Sequence, residues 1–89
     1  KDLSIPLVFF DTGIEIVRSL FGAEIAVIIK ETKPGEYKVS MRSTDKNVAS
    51  IAAKFSGGGH IRAAGCTISA DSIDSAINVI LKEIKNIFE

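Results

Sequence analysis

The sequence has little of what several classes of protein require. It contains one cysteine, Cys66, so an internal disulfide is excluded, and with it a disulfide-stabilised secreted scaffold. It contains one histidine, His60, and a metal site built on His60 and Cys66 would have two ligands at most, with no third candidate at suitable spacing. The apolar run AEIAVIIKE is far too short to cross a bilayer. We therefore expect a cytoplasmic protein with no membrane partner, and an inert, buried thiol at Cys66.

The sequence also lacks an excess of charge of either sign. Lysine and arginine number 11, aspartate and glutamate number 11, and the formal net charge is zero. This balance excludes a basic nucleic-acid-binding arm, so an anion site must be formed by a few local cations. With 89 residues, 46% of them hydrophobic, the chain fits one small packed domain.

The hydrophobic pattern predicts an α/β domain in which helices pack on a small mixed β-sheet, in the order helix, strand, strand, helix, strand, helix. Residues 1–10 fit a linker remnant or an edge strand, because Pro6 disfavours a central strand. A first helix is predicted from an N-cap at Asp11 or Thr12 to a stop at Gly22. Its apolar face would comprise Ile14, Val17, Leu20 and Phe21.

Two runs separated by the turn sequence KPGE predict a β-hairpin. The first run, EIAVIIK, is continuous and rich in β-branched residues, which is typical of a strand buried on both faces. The second run, YKVSMR, alternates. Ser40 and Arg42 therefore share one face, opposite Val39 and Met41.

Helix signals follow the hairpin. Asn47 is a predicted N-cap, and Val48, Ile51, Ala52 and Phe55 repeat at helical spacing. A strand is predicted in HIRAAGCTIS, and Asp71 or Ser72 is expected to cap a long C-terminal helix. The apolar stripe of that helix comprises Ile73, Ala76, Ile77, Ile80, Leu81, Ile84 and Phe88.

The stretch FSGGGHIRAAG is the most unusual part of the sequence. Consecutive glycines can adopt positive φ and turn several N–H groups toward one point, which is how backbone concavities bind phosphate. A helix precedes the stretch and a strand follows it, which excludes a P-loop, and Arg62 interrupts the dinucleotide-binding fingerprint. Alternatively, the stretch merely connects a helix to a strand.

An anion at this stretch would need nearby cations, because the preceding helix presents its C-terminus, the negative end of its dipole. The candidate cations are Lys54, Arg62, His60 and Arg42.

The segments VSMRS, VASIAAKF and GGGHIRAAG together resemble the C-terminal DHH-associated domain of DHH-family phosphoesterases. The family includes RecJ-like exonucleases, oligoribonuclease/pAp-phosphatase enzymes and cyclic-dinucleotide phosphodiesterases. The resemblance covers about residues 11–89. Family members often carry a fourth glycine before the three, where this sequence has Ser56.

The resemblance implies a substrate-binding domain whose catalytic partner is a separate N-terminal DHH domain with two manganese ions. No Asp-His-His triplet occurs in this sequence, so we expect no catalytic residue, no metal site and no hydrolysis by the chain alone. The implied ligand is a nucleotide, a short oligonucleotide or a single-stranded nucleic acid. The implied substrate-binding residues are Ser40, Arg42, Gly57, Gly58, Gly59 and His60.

Two other functions stay open at this point. The chain could be an RNA- or tRNA-binding module, because the C-terminal region of alanyl-tRNA synthetase carries a related domain. It could also be a dimerisation domain with a purely structural glycine loop. Among phosphoester substrates, pAp, short RNA, single-stranded DNA and cyclic dinucleotides are not separated by the sequence, and neither is the oligomeric state.

Overall fold

In the computed structural model, residues 7–10, 13–20 and 22–88 are described. Six strands form one sheet, and two helices bury their apolar faces against one side of it. The strands are β1 (Leu7–Phe10), β2 (Gly13–Leu20), β3 (Ala23–Lys33), β4 (Glu36–Ser43), β5 (Gly58–His60) and β6 (Ala63–Ser69). The helices are α1 (Val48–Ala53) and α2 (Ile73–Phe88).

The predicted fold class is confirmed: helices and a sheet form one α/β domain with a β3–β4 hairpin and a long C-terminal helix. The strand order is β1-β2-β3-β4-β6-β5. The sequence pattern predicts a mixed sheet, but every strand pair within the described residues is antiparallel. Short turns explain the pairs β1–β2, β2–β3, β3–β4 and β5–β6, because parallel neighbours would need long crossover connections. The β4–β6 pair is antiparallel although residues 44–62, which include α1 and β5, connect its strands.

The predicted first helix is wrong, because its described part is strand β2, paired with β1 and β3. Ile14 and Ile16 are both fully buried and stand two residues apart, whereas Val17 is half-buried. That spacing is the strand period. Gly22, the predicted helix stop, instead lies in the β2–β3 turn at φ +82°. The predicted cap positions at residues 11 and 12, and Phe21, lie outside the described residues.

The prediction that the first hairpin strand is buried on both faces is also wrong. Along β3, Ile25, Val27 and Ile29 are fully buried, but the intervening Ala26 and Ile28 are half-buried. The helices cover one face of the sheet, so alternate residues of this apolar run remain accessible. Beyond β2, Leu7–Phe10 forms an edge strand. The domain boundary predicted near residue 11 stays a prediction.

Both predicted N-caps are present. The Asn47 side-chain oxygen accepts a hydrogen bond from Ser50 N at 3.1 Å, and Ser72 Oγ accepts one from Ser75 N at 3.1 Å. Between the helices, Lys54 Nζ lies 2.7 Å from Glu83 Oε1. The most buried part of the predicted α2 stripe consists of Ala76, Ile77, Ile80 and Ile84. Neither helix of the described segments has the length and apolar character that a membrane span requires.

The sheet is therefore covered on one side. Its inner face and the two helices share a core in which no described polar or charged residue is buried. We call the opposite side the open face. Its central members are exposed or half-buried and comprise Glu15, Val17, Ala26, Ile28, Lys30, Lys38, Ser40, Arg42, Ala63, Gly65 and Thr67.

Because residues 13–20 form a strand, substitutions at adjacent positions of this segment should differ in their effect on stability. Ile16→Ala should lower the free energy of unfolding by about 2–4 kcal/mol, because it removes a fully buried side chain. Val17→Ala, on the half-buried side, should cost about 1 kcal/mol or less. Urea unfolding of both variants measures the difference. A helix would give the reverse order, since Val17 would then lie on its apolar face.

Candidate functional site

The register of the sheet brings Arg42 into line with the glycine stretch. Arg42 on β4 is paired with Ala26 on β3 and with Ala63 on β6, and Ala63 is paired with His60 on β5. Adjacent strands lie about 4.8 Å apart, so the backbones at Arg42 and His60 are separated by roughly 10 Å. The small side chain of Ala63 lies between them.

A second row runs beside the first. Ser40 is paired with Ile28 on one side and with Gly65 on the other, and Gly65 is paired with Gly58. Ser40 and Arg42 are exposed, whereas the intervening Met41 is buried, so the predicted alternation along β4 is confirmed. The two rows together place the serine, the arginine and the glycine stretch on neighbouring strands.

The glycine stretch does not form the predicted concave loop. Gly58, Gly59 and His60 form strand β5, and in an antiparallel pair successive N–H groups point to alternate sides. The N–H of Gly57 donates to Ala52 O at 2.8 Å, so it belongs to the end of α1. The stretch therefore offers a bare strand edge rather than a cluster of converging N–H groups.

The three glycines differ in what the fold demands of them. A Cβ on Gly57 would collide with Gly65 O, and one on Gly59 would lie 2.6 Å from Ala63 O. Gly59 also has φ +143°, a conformation that L-residues rarely adopt. A Cβ on Gly58 would meet no atom within 4 Å. Packing thus requires glycine at 57 and 59 only, and the missing side chain at Gly58 leaves free space beside Gly65.

Ser56 occupies a glycine-like backbone conformation, with φ +64°. Its N–H donates to Ala53 O at 3.2 Å, and the next N–H, of Gly57, donates to Ala52 O. This pair of bonds is the Schellman arrangement, whose left-handed position usually carries glycine. The departure from the family pattern at Ser56 therefore leaves a conformation that glycine would adopt more easily.

His60 lies at the end of strand β5. The turn that follows it is tied down on both sides. Val48 N donates to Ile61 O at 2.8 Å, and Ser43 N donates to Arg62 O at 2.9 Å. These bonds connect the turn to α1 and β4, so the backbone at His60 has a defined position relative to Arg42.

Two depressions open on or beside this part of the sheet. The first has a volume of about 320 Å³ and is lined by Glu15, Ala26, Ile28, Ser40 and Arg42. The second has a volume of about 480 Å³ and is lined by Lys38, Phe55, Ser56, Gly57, Gly65, Cys66 and Thr67. Both contain residues of the Ser40–Gly65 row, so the two depressions flank that row.

Sequence reasoning misses Glu15, Ala26 and Ile28. It places Glu15 in a helix, and it places Ala26 and Ile28 in a strand covered on both sides. The correct signal is present in the segment GIEIVRSL, where Ile14 and Ile16 stand two residues apart, but the helical spacing of other apolar residues competes with it.

Two predicted cations do not contribute to these depressions. Lys54 pairs with Glu83 between the helices, on the covered side of the domain, and lines neither depression. Arg62 is exposed in the β5–β6 turn and lines neither depression. Arg42 and His60 remain on the rows described above.

Cys66 faces the core, and only 6% of its surface is exposed. Burial raises the pKa of its thiol, so the thiolate that would act as a nucleophile or metal ligand is disfavoured. Within the described segments no group of three His, Cys, Asp or Glu side chains could hold a metal ion. A manganese pair of the kind expected for the catalytic domain therefore does not fit these residues.

Comparison with known proteins gives two findings. Residues 12–86 match the family described as the DHHA1 domain. Over 76 residues the chain is 32% identical to the bifunctional oligoribonuclease and PAP phosphatase NrnA of Thermus thermophilus. The matched region is 84% of this chain but 23% of that protein, so the chain spans about a quarter of the length of this relative.

The glycine geometry predicts that substitution of Gly59 destabilises the domain much more than substitution of its neighbour Gly58. Gly59→Ala should lower the free energy of unfolding by at least about 2 kcal/mol, because it combines a positive φ with a clash against β6. Gly58→Ala should change it by no more than about 0.5 kcal/mol. Chemical denaturation provides the comparison. Equal losses at both positions would contradict the proposed difference in packing.

The Ser56 backbone predicts a stabilising substitution. Ser56→Gly should raise the free energy of unfolding by about 0.5–1 kcal/mol, since relief of the left-handed conformation exceeds the added entropy of the unfolded chain. Ser56→Ala is the matched control, because it shortens the side chain but keeps the strain. A gain in both variants would show that the hydroxyl, rather than the backbone, carries the cost.

Proposed function

The chain belongs to the DHHA1 domain family, a domain associated with DHH-family phosphoesterases, and we propose that it binds the substrate of such an enzyme. The ligand is a nucleotide or a short oligonucleotide, and the open face is its binding surface. One observation carries the proposal. Arg42 and Ser40 project from β4 beside Ala63, Gly65 and Gly58, a strip with almost no side chains.

Arg42 provides the charge for phosphate binding. Its guanidinium offers a planar set of donors that matches two phosphate oxygens. The side chain is exposed, and it forms no ion pair with a carboxylate of the described residues, although Glu15 lines the same depression. The hydroxyl of Ser40, two residues away on the same face, can donate a further hydrogen bond to the same group.

The depression beside Arg42 suits a nucleoside better than inorganic phosphate. Ala26 and Ile28 provide apolar lining against which a sugar or base can pack. The carboxylate of Glu15 can accept hydrogen bonds from hydroxyl or amino groups. On the other side of Arg42, the free space at Gly58 lets a ligand approach the β5 backbone, with His60 at the end of that strand.

Catalysis belongs to another part of the parent protein in this proposal. The relative is named as an oligoribonuclease and PAP phosphatase, and this chain corresponds to 23% of it. A separate DHH domain with two manganese ions would supply an activated water for phosphoester cleavage. The role of this chain is then to hold the nucleotide against that domain, with the open face directed toward it. The phosphoesterase relative favours this function over a tRNA-binding module.

Binding to the isolated chain tests the proposal. Titration of ¹⁵N-labelled chain with a nucleoside 3′,5′-bisphosphate should shift the amide signals of Ser40, Arg42, Gly58 and Gly65, with a dissociation constant of roughly millimolar order. Arg42→Gln should weaken binding about tenfold or more, because it removes a charge-assisted hydrogen bond. Gly58→Val should also weaken binding while keeping the fold, because the new side chain occupies the free space.

Lys82→Gln is the matched control, since it removes one positive charge from an exposed position on α2. It should leave binding unchanged within about twofold, as expected for a screened charge away from the site. Equal weakening of ligand binding by Arg42→Gln and Lys82→Gln would show that the effect comes from net charge alone. Amide shifts confined to the helices would place the ligand elsewhere and overturn the proposal.

A further inference from the structure

Two lysines stand directly opposite each other on the open face. Lys30 on β3 is paired with Lys38 on β4, and both are exposed. Like charges at such a cross-strand pair are destabilising. Neither lysine forms an ion pair with a carboxylate of the described residues. The fold therefore carries an unfavourable pair of cations without a compensating acid among those residues.

The acidic groups nearest along these strands have other partners or positions. Glu36, at the start of β4, lies 3.7 Å from Lys33 Nζ and accepts a hydrogen bond from Thr32 Oγ1 at 2.7 Å. Glu15 lines the depression of Arg42, one row away from the lysine pair. The two lysines lie in the row between these acids and form an ion pair with neither; we call them the Lys30–Lys38 pair.

The Lys30–Lys38 pair borders the proposed nucleotide site. Lys38 lies two residues from Ser40, is paired with Thr67 on β6, and lines the larger depression together with Phe55 and Gly65. Lys38 and Arg42 are four positions apart, which corresponds to about 14 Å along the strand. From Lys38 to Arg42, one face of β4 therefore carries a cation, then the hydroxyl of Ser40, then a second cation.

We propose that Lys30 and Lys38 form a second phosphate subsite, which makes the open face prefer oligonucleotides to mononucleotides. This inference rests on the proposed function, because Ser40 and Arg42 hold the first phosphate. A stacked single strand rises about 3.4 Å per nucleotide, so the four phosphates of a 5′-phosphorylated tetramer span about 10 Å when stacked and more when extended. The long, flexible side chains of the lysines and of Arg42 cover the remaining distance. A mononucleotide with one phosphate engages one subsite only.

The larger depression provides a place for the intervening or following nucleoside. Its lining combines the partly buried Phe55 with Gly57 and Gly65, which carry no side chains, and the hydroxyl of Thr67. Apolar surface beside a cation and a hydroxyl is the combination that single-stranded nucleic acid sites use, because bases pack while phosphates are neutralised. The subsite therefore has both an electrostatic and a packing component.

The test compares two ligands, adenosine 5′-monophosphate and a 5′-phosphorylated adenylate tetramer, bound to the chain. The wild type should bind the tetramer more tightly, and Lys30→Gln/Lys38→Gln should weaken the tetramer about three- to tenfold while changing the monophosphate less than about twofold. Arg42→Gln should weaken both ligands. The slope of log K against log salt for the tetramer should become shallower by about 0.7 for each phosphate that the variant no longer neutralises.

The matched control is Lys82→Gln/Lys85→Gln, which removes two exposed charges from α2. It should preserve the preference for the tetramer. The melting temperature of Lys30→Gln/Lys38→Gln should be equal to or above that of the wild type, because a like-charge pair is removed. That result separates a ligand-binding role from a structural one.

Three outcomes would count against the inference. Equal weakening of both ligands in the lysine variant would show a general field effect and overturn the second subsite alone. Unchanged tetramer binding in that variant would also overturn it, with the Arg42 site intact. Failure of the wild type to bind either ligand, or full binding by Arg42→Gln, would overturn the proposed function and the inference that rests on it.

Discussion

The sheet of this domain buries only one of its two faces. The core consists of the inner sheet face and the apolar sides of α1 and α2, with no described polar residue inside. Removal of these side chains from water is the dominant favourable contribution to folding. Since both helices contribute to the same core, the opposite face needs no apolar cover and can carry Ser40, Arg42 and the lysines.

The second constraint is the close approach of β5 to β6. Glycine at 57 and 59 permits it, and backbone hydrogen bonds from Val48 and Ser43 hold the turn that joins the two strands. The result is a short strand that places His60 in the row of Arg42. Gly58 belongs to the same run but has a different reason to be glycine, because its absent side chain leaves space above the sheet. Within one run, glycine is therefore required by packing at positions 57 and 59 and leaves open space at position 58.

Much of the fold could be predicted because its signals are local. The alternation of β4, the β3–β4 turn and the caps at Asn47 and Ser72 each depend on residues within a few positions of one another. Residues 13–20 could not be assigned correctly in the same way. Their apolar residues fit both the helical and the strand period. Pairing with β1 and β3 makes the segment a strand, and the local pattern does not identify these partners.

The chemistry of the candidate site can be predicted from the amino-acid sequence: an arginine and a serine two residues apart on an alternating strand, a run of glycines before one histidine, and no charge excess. The other residues of the site are identified only by the folded sheet. Register placed Glu15, Ala26 and Ile28 beside Arg42, and brought Lys30 opposite Lys38. It also directed Lys54 to Glu83 on the covered side. The physical reason is that backbone pairing between distant segments sets which side chains become neighbours, and that pairing is selected by burial of the whole inner face.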